Sequence, residues 1–330
     1  MEVRPDQRPA RPIGLRPIGL RPIGLRPIGS PRPLRLRRRA GAFTAAAATV
    51  TVAVAMLAGC SAAPASSASS PASSAAVLAA LPGPGRPAWL LTRSVLAQMI
   101  DDPAAVDQLR GKLVYEILQP GQPPLPGVVA EPIVTFASAS ALEAAIRARQ
   151  LPAGVFGVLY DPEAWTFTPE DEQQHPVQAA AAAAAVAHAH GLRLIVAPAI
   201  DLTTVLGSGG TAPRWRQFLD LGLIRRLAKV ADVIELQAQS LEQDTGAYTA
   251  FVKAAAAQAS AGRPGIDLLA GLSTNPPGAA IEAQQLTAAI QATRSVVDGY
   301  WLNVPVPGSR CPACNAPRPE IAIEALQAQP

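Results

Sequence analysis

The chain has 330 residues, of which 49% are hydrophobic and 16% charged, and its formal net charge is +4. The basic excess is confined to residues 1–39, where eleven arginines face only Glu2 and Asp6, whereas the remainder carries 17 basic and 22 acidic residues. A mildly acidic remainder without a basic stripe argues against nucleic-acid binding.

Residues 1–34 form a low-complexity segment. It contains RPIGL three times and then RPIGS, between Arg11 and Ser30. A proline at every fifth position excludes a regular helix or a central strand, so we predict that this segment is extended and disordered. The alternative is a start codon assigned too far upstream, in which case the repeat is not translated.

Residues 35–59 have the pattern of an export signal, with arginines, an apolar run and small residues in that order. Their end, Leu57-Ala58-Gly59-Cys60, resembles the lipobox of bacterial lipoproteins. The resemblance implies cleavage before Cys60 and a diacylglyceryl group on its thiol, which anchors the chain to the membrane. The alternative is an uncleaved signal anchor. Both interpretations place the rest of the chain on the extracytoplasmic face of the cell membrane.

Residues 60–85 are rich in Ala, Ser and Pro and contain no charge, which predicts a flexible tether. Residues 86–330 then form one domain, a length typical of a single α/β barrel. Short apolar runs in this domain predict eight strands: Trp89–Thr92, Leu113–Leu118, Ile133–Ala137, Phe156–Asp161, Leu192–Ala197, Val233–Gln239, Leu268–Ser273 and Tyr300–Val304.

Helical patterns lie between most of these strands. Their alternation predicts an α/β fold, a parallel (β/α)8 TIM-like barrel, with an irregular first quarter because residues 119–132 show no helical pattern. An open doubly wound sheet is the alternative, although no glycine-rich phosphate fingerprint follows any strand. The predicted helices are Ala141–Arg149, Val177–His190, Arg214–Val230, Ala247–Ala261, Ile281–Val296 and Pro319–Leu326.

The sixth predicted strand, VIELQAQ, gathers polar residues on one face. Successive side chains of a strand point to opposite sides, so Glu235, Gln237 and Gln239 share a face with Val233. Four other strands also become polar or aromatic at their carboxyl ends, where parallel α/β folds hold their ligands. A solvated face of an antiparallel sheet is the alternative. The predicted ligand-binding residues are Tyr160, Trp165, Asp201, Gln237, Gln239, Ser273, Asn275, Trp301 and Asn303.

Carboxylates at these strand ends suggest glycoside hydrolysis, which needs one protonated and one ionised carboxyl group. Glu235 with Asp161 is our first choice for the catalytic pair, followed by Glu163. Asp201 has the alternative role of capping the segment after its strand. Exposed rings among such groups suit a sugar, since an aromatic ring covers its apolar face, although Trp165 and Trp301 also fit a packing role.

Other chemistry finds less support. His188 and His190, two residues apart, do not share a helix face, so no metal site and no cofactor are predicted. Cys311-Pro-Ala-Cys314 in an exported protein most simply forms a local disulfide, with a redox pair and half of a zinc site as the alternatives.

The segments YDPEAW, GLRLIVAPAIDL, AGLSTNP, GYWLNVP and CPAC together resemble uncharacterised exported proteins of high-GC Gram-positive (actinobacterial) bacteria. The domain also resembles, more distantly, barrel glycoside hydrolases. The first resemblance implies no activity, and the second implies a barrel that binds and cleaves glycans. The expectation is therefore a lipid-anchored glycan hydrolase. The alternatives are a non-catalytic barrel that binds carbohydrate or cell-wall components and a structural surface lipoprotein.

Overall fold

The structure is a computed structural model, and it describes residues 88–110, 112–207, 209–276, 280–308 and 316–328. The predicted repeat, export signal and tether lie outside the described residues, as do Cys60, Cys311 and Cys314. Within the described ranges, no helix has both the length and the apolar character needed to span a membrane.

Eight parallel strands close into a barrel, each hydrogen-bonded to the next in chain order and the last to the first. This confirms the predicted (β/α)8 barrel and excludes the open doubly wound sheet. The strands are β1 Ala88–Thr92, β2 Val114–Leu118, β3 Glu131–Phe136, β4 Gly157–Tyr160, β5 Arg193–Val196, β6 Val233–Leu236, β7 Asp267–Ser273 and β8 Gly299–Asn303.

Helices surround the barrel, and short 3₁₀ turns at Ile200–Leu202 and Gln239–Leu241 follow β5 and β6. The helices are α1 Arg93–Met99, α2 Pro103–Leu109, α3 Ala139–Arg147, α4 Glu170–Gln174, α5 Pro176–Ala189, α6 Thr203–Leu206, α7 Arg214–Asp220, α8 Leu223–Leu227, α9 Thr245–Gly262, α10 Ala283–Thr293 and α11 Pro319–Gln327.

The helix predicted over residues 214–230 is wrong as a single element, because Gly222 divides it into α7 and α8. Gly222 has φ 59°, a left-handed conformation that glycine adopts at little cost. The short helices α1 and α2 were not predicted. They start at Thr92 and Asp102, whose side chains accept backbone N–H groups of the first turn.

The predicted irregularity of the first quarter is confirmed, since the connection from β2 to β3 contains no helix. On the outer face of β2, Glu116 accepts the Leu125 N–H with both carboxylate oxygens, at 2.9 and 3.1 Å, and lies 3.8 Å from the Arg93 guanidinium. Burial raises the pKa of Glu116. This carboxyl group therefore fastens a loop over a face that a helix covers elsewhere in the barrel.

The core has an inner and an outer part, separated by the sheet. Alternate residues of each strand point outward and pack against the helices, as Ile234 and Leu236 do, while the others point into the barrel. The inner part consists of Ala88, Leu90, Tyr115, Ile117, Ile133, Leu159, Ile195, Ala197, Val233, Leu269 and Trp301.

The amino-terminal end of the barrel is filled by packed side chains. The buried Arg193 donates to the carboxylate of Asp267, and its guanidinium lies 5.8 Å from the centre of the Phe156 ring. Tyr115 packs on that ring at 5.1 Å. Because this end is filled, a ligand site belongs at the carboxyl ends of the strands.

Candidate active site

Glu235 lies inside the barrel, as the alternation along β6 predicts. Val233 belongs to the inner core and Ile234 to the outer core, so Glu235 points inward. Its side chain is 0% exposed, and neither carboxyl oxygen has a hydrogen-bond partner among the described residues. Burial raises its pKa well above the ordinary value, and the charges of Asp161 and Glu163 raise it further. The carboxyl group therefore stays protonated to a much higher pH than an exposed one.

Asp161 and Glu163 follow β4, close enough for their negative charges to act on Glu235. Asp161 accepts a hydrogen bond of 2.6 Å from the Gln237 amide, which also donates to the Ala197 carbonyl oxygen at 3.0 Å. Gln237 therefore joins the carboxyl ends of β4, β5 and β6. The Asp161 carboxyl group therefore lies beside the end of β6, the strand that carries Glu235.

Gly271 on β7 provides the space in which two predicted site residues meet. A Cβ atom at this position would stand 2.8 Å from Glu235 Oε1 and would collide with the Gln239 amide oxygen. That amide oxygen is buried and has no hydrogen-bond partner among the described residues. The absence of a side chain at position 271 is thus what allows Glu235 and Gln239 to adopt their positions.

The segment after β4 is held by the buried hydroxyl of Thr168. This oxygen accepts the Glu163 N–H at 3.2 Å and the Trp165 indole N–H at 2.9 Å, and it donates to the Ala137 carbonyl at 3.0 Å. Asp201 accepts the Ala164 N–H at 3.0 Å, so it braces this segment. Asp201 thus binds the segment after β4 and not the one after its own strand, so this contact is not the predicted capping role, and Trp165 lies on the segment that it braces.

The remaining predicted site residues lie on or directly after β7 and β8: Ser273, Asn275, Trp301 and Asn303. Trp301 belongs to the inner core, and its buried indole N–H has no hydrogen-bond partner among the described residues. Ser273 and Asn303 are register partners at the ends of β7 and β8. The Ser273 hydroxyl accepts the Asn275 N–H at 3.1 Å, so it serves a local turn.

The prediction for Tyr160 requires correction. Tyr160 belongs to the outer core and is fully buried, and its hydroxyl donates to Glu172 at 2.9 Å. The Asp161 carboxyl group and the Tyr160 ring are adjacent in sequence but lie on opposite sides of the sheet. Tyr300 also faces outward and packs on Trp89 at 5.6 Å, so neither tyrosine lines the mouth of the barrel.

Besides Glu116, the sequence does not reveal two further buried acids, Glu242 and Glu172. Glu242, 0% exposed, accepts the Ser273 N–H at 2.6 Å and thereby fixes the end of β7; burial raises its pKa well above the ordinary value. Glu172 accepts the Ala139 N–H at 2.9 Å, at the start of α3. Both occur in polar stretches that read as solvent-exposed, so no local signal distinguished them.

The arrangement suits acid–base chemistry. It combines one buried acid of raised pKa with two carboxyl groups whose negative charge raises that pKa further. Among the described residues, no group of His, Cys, Asp and Glu side chains has the arrangement to hold a metal ion.

Comparison with protein-family profiles and with curated sequences finds no match. Solved structures of similar shape include glycoside hydrolases and other barrels. A family GH18 chitinase from the fern Peteris ryukyuensis has a TM-score of 0.42 at 14% identity, covering 65% of this chain and 90% of its own. A GH128 endo-β-1,3-glucanase from Amycolatopsis mediterranei has a TM-score of 0.39 at 12% identity, covering 74% and 100%.

A sugar phosphate isomerase/epimerase from Parabacteroides distasonis has a TM-score of 0.43 at 8% identity, covering 73% of this chain and 93% of its own. At this level the similarity carries no inference about activity. The fold itself follows from the closed sheet.

Replacing Glu235 should change how stability depends on pH. Because the folded state raises the pKa of Glu235, stability is lost as pH rises above the pKa of the unfolded chain, and a glutamine suffers no such loss. We expect Glu235→Gln to be more stable than the parent chain at pH 8, and to show much less of this gain at pH 4. Urea denaturation across this range measures the effect, with the surface variant Glu324→Gln as control. A gain independent of pH would contradict it.

Gly271→Ala should destabilise the protein by about 1–2 kcal/mol, because the new methyl group overpacks the Gln239 and Glu235 side chains. Adding Gln239→Ala should recover much of that loss. A double-mutant cycle by urea denaturation should give a coupling energy of about 0.5–3 kcal/mol. Gly299→Ala is the contrast, because its Cβ meets the Ala88 backbone, which no side-chain truncation relieves. Simple additivity at positions 271 and 239 would count against this packing.

Proposed function

We propose that this protein is a glycan-active barrel, a glycoside hydrolase in which Glu235 is the general acid and Asp161 the second carboxylate. Glu163 is the reserve candidate for the second role. The observation that carries the proposal is the burial of Glu235 inside the barrel, where neither oxygen has a hydrogen-bond partner among the described residues and the pKa is raised. A buried carboxyl group held neutral without a structural hydrogen bond is suited to donating a proton.

In the proposed reaction, Glu235 donates its proton to the glycosidic oxygen as the bond from this oxygen to the anomeric carbon breaks. In an inverting reaction, Asp161 removes a proton from the water that attacks the anomeric carbon. In a retaining one, Asp161 attacks that carbon itself, and water then breaks the resulting ester as the Glu235 carboxylate takes a proton from it. The Gln237 amide holds Asp161 by a hydrogen bond of 2.6 Å, which fixes its orientation. Because Glu235 is fully buried, a substrate reaches it only after side chains at the mouth, among them Gln239, move aside.

A non-catalytic barrel that binds carbohydrate or cell-wall components is the second candidate function. The observation in its favour is the same complete burial of Glu235. If side chains stay packed over this acid, a ligand contacts only the rim of the barrel and no bond is cleaved. A structural surface lipoprotein, which binds no glycan at all, is the remaining alternative.

The proposal includes a location. We infer from the lipobox-like sequence at Leu57–Cys60 that the chain carries lipid on Cys60 and is held at the extracytoplasmic face of the membrane. The uncharged residues 61–85 then separate the barrel from the bilayer. A glycan of the cell envelope is within reach of a domain held in this way.

Glu235→Gln should separate the two functions. Full-length protein is tested against chitin, cellulose, β-1,3-glucan and peptidoglycan for release of reducing ends and for binding. We expect a loss of at least about 100-fold in turnover, the usual contribution of a general acid, with glycan affinity retained. Glu324→Gln is the surface control. Unchanged turnover in Glu235→Gln would rule out the acid role, and binding without turnover in the parent chain would favour the non-catalytic barrel.

Lipid attachment is tested by metabolic labelling with an alkyne fatty acid in a bacterial host that processes lipoproteins. The parent chain should be labelled and Cys60→Ala should not, because the thiol is the acceptor. Cys311→Ala, which removes a cysteine at the other end of the chain, should stay labelled. Label on Cys60→Ala would refute the assignment.

A further inference from the structure

One exposed aromatic side chain follows the strand that leads into the candidate active site. Among the described residues, four large hydrophobic side chains are markedly exposed. Phe167, Val205 and Val306 follow the carboxyl ends of β4, β5 and β8, whereas Val129 precedes β3 at the opposite end. Of these, Phe167 lies on the segment that also carries Asp161 and Glu163.

Phe167 is exposed on a segment that is firmly held. Its side chain is 47% exposed and packs edge-on against Trp165, with ring centres 5.0 Å apart and planes at 78°. The Trp165 indole is fixed by Thr168, and the Gln173 amide donates to the carbonyl oxygens of Trp165 and Thr168, both at 2.8 Å. The aromatic pair is therefore presented to solvent in a fixed orientation.

The same segment carries the carboxyl groups of the candidate active site. Thr168 binds both the backbone of Glu163 and the ring of Trp165. The segment is also tied to the one after β5, through the hydrogen bond from Ala199 N–H to the Pro162 carbonyl oxygen at 3.1 Å. The aromatic pair thus has a defined position relative to Asp161 and Glu163.

We propose that Phe167 and Trp165 form an outer sugar-binding subsite, and that the ligand is an oligosaccharide chain rather than a single sugar. The inference rests on the proposed function. An aromatic ring covers the apolar face of a pyranose, and the Phe167 ring offers such a surface at the rim. Glu235 is fully buried, whereas Phe167 is half exposed, so a ligand that contacts both extends from the barrel interior to its rim. Several linked rings meet that requirement.

The experiment measures affinity against chain length by isothermal titration calorimetry. The probes are oligosaccharides of one to six rings, built from β-1,4-linked N-acetylglucosamine, β-1,4-linked glucose or β-1,3-linked glucose. The full-length chain should bind longer members more tightly. Phe167→Ala should weaken binding of chains of four or more rings roughly tenfold, the worth of one aromatic contact, and should leave single sugars unaffected.

Phe167→Tyr keeps the ring and should retain the affinity for long chains. Val129→Ala, the matched truncation of an exposed apolar residue at the other end of the barrel, should bind like the parent chain. If the parent chain binds long oligosaccharides and Phe167→Ala binds them equally well, the subsite is refuted while the proposed function survives. If the parent chain binds none of the three series, the subsite is refuted, whereas the proposed function is decided separately by the turnover assay.

Discussion

A carboxyl group inside a closed β-barrel is the constraint on which the rest of the site depends. The Glu235 side chain is fully buried. Among the described residues, none donates a hydrogen bond to its carboxyl group and none forms an ion pair with it. The surroundings instead add negative charge, from Asp161 and Glu163. A buried group in this setting avoids the cost of ionisation by keeping its proton, and a retained proton is available for transfer.

The neighbours of Glu235 are arranged by that constraint. Gly271 leaves space beside the Glu235 carboxyl group that a side chain at this position would fill. Gln237, after β6, donates a hydrogen bond to Asp161, after β4. Glu242, another buried acid, differs from Glu235 because one of its oxygens accepts the Ser273 N–H, although its other oxygen has no partner among the described residues. Burial and a raised pKa are therefore common to both acids. What distinguishes them is the backbone hydrogen bond, which Glu242 accepts and Glu235 does not.

The sequence predicts the barrel because its strands are buried on both faces and stand out as short apolar runs between helical patterns. It predicts the inward position of Glu235 because a strand alternates strictly. The same alternation explains why the prediction for Tyr160 is wrong. Tyr160 directly precedes Asp161, so the two side chains lie on opposite sides of the sheet. The burial of Glu242 could not be predicted for a different reason. It comes from contact with a strand 31 residues further along the chain, which no local sequence pattern reveals.

The hydroxyl of Thr168 couples two parts of the site. One oxygen positions both the backbone beside a carboxylate and the indole of the aromatic pair. Replacing this hydroxyl would therefore disturb the carboxylate segment and the aromatic pair together, so neither can be altered through position 168 without the other.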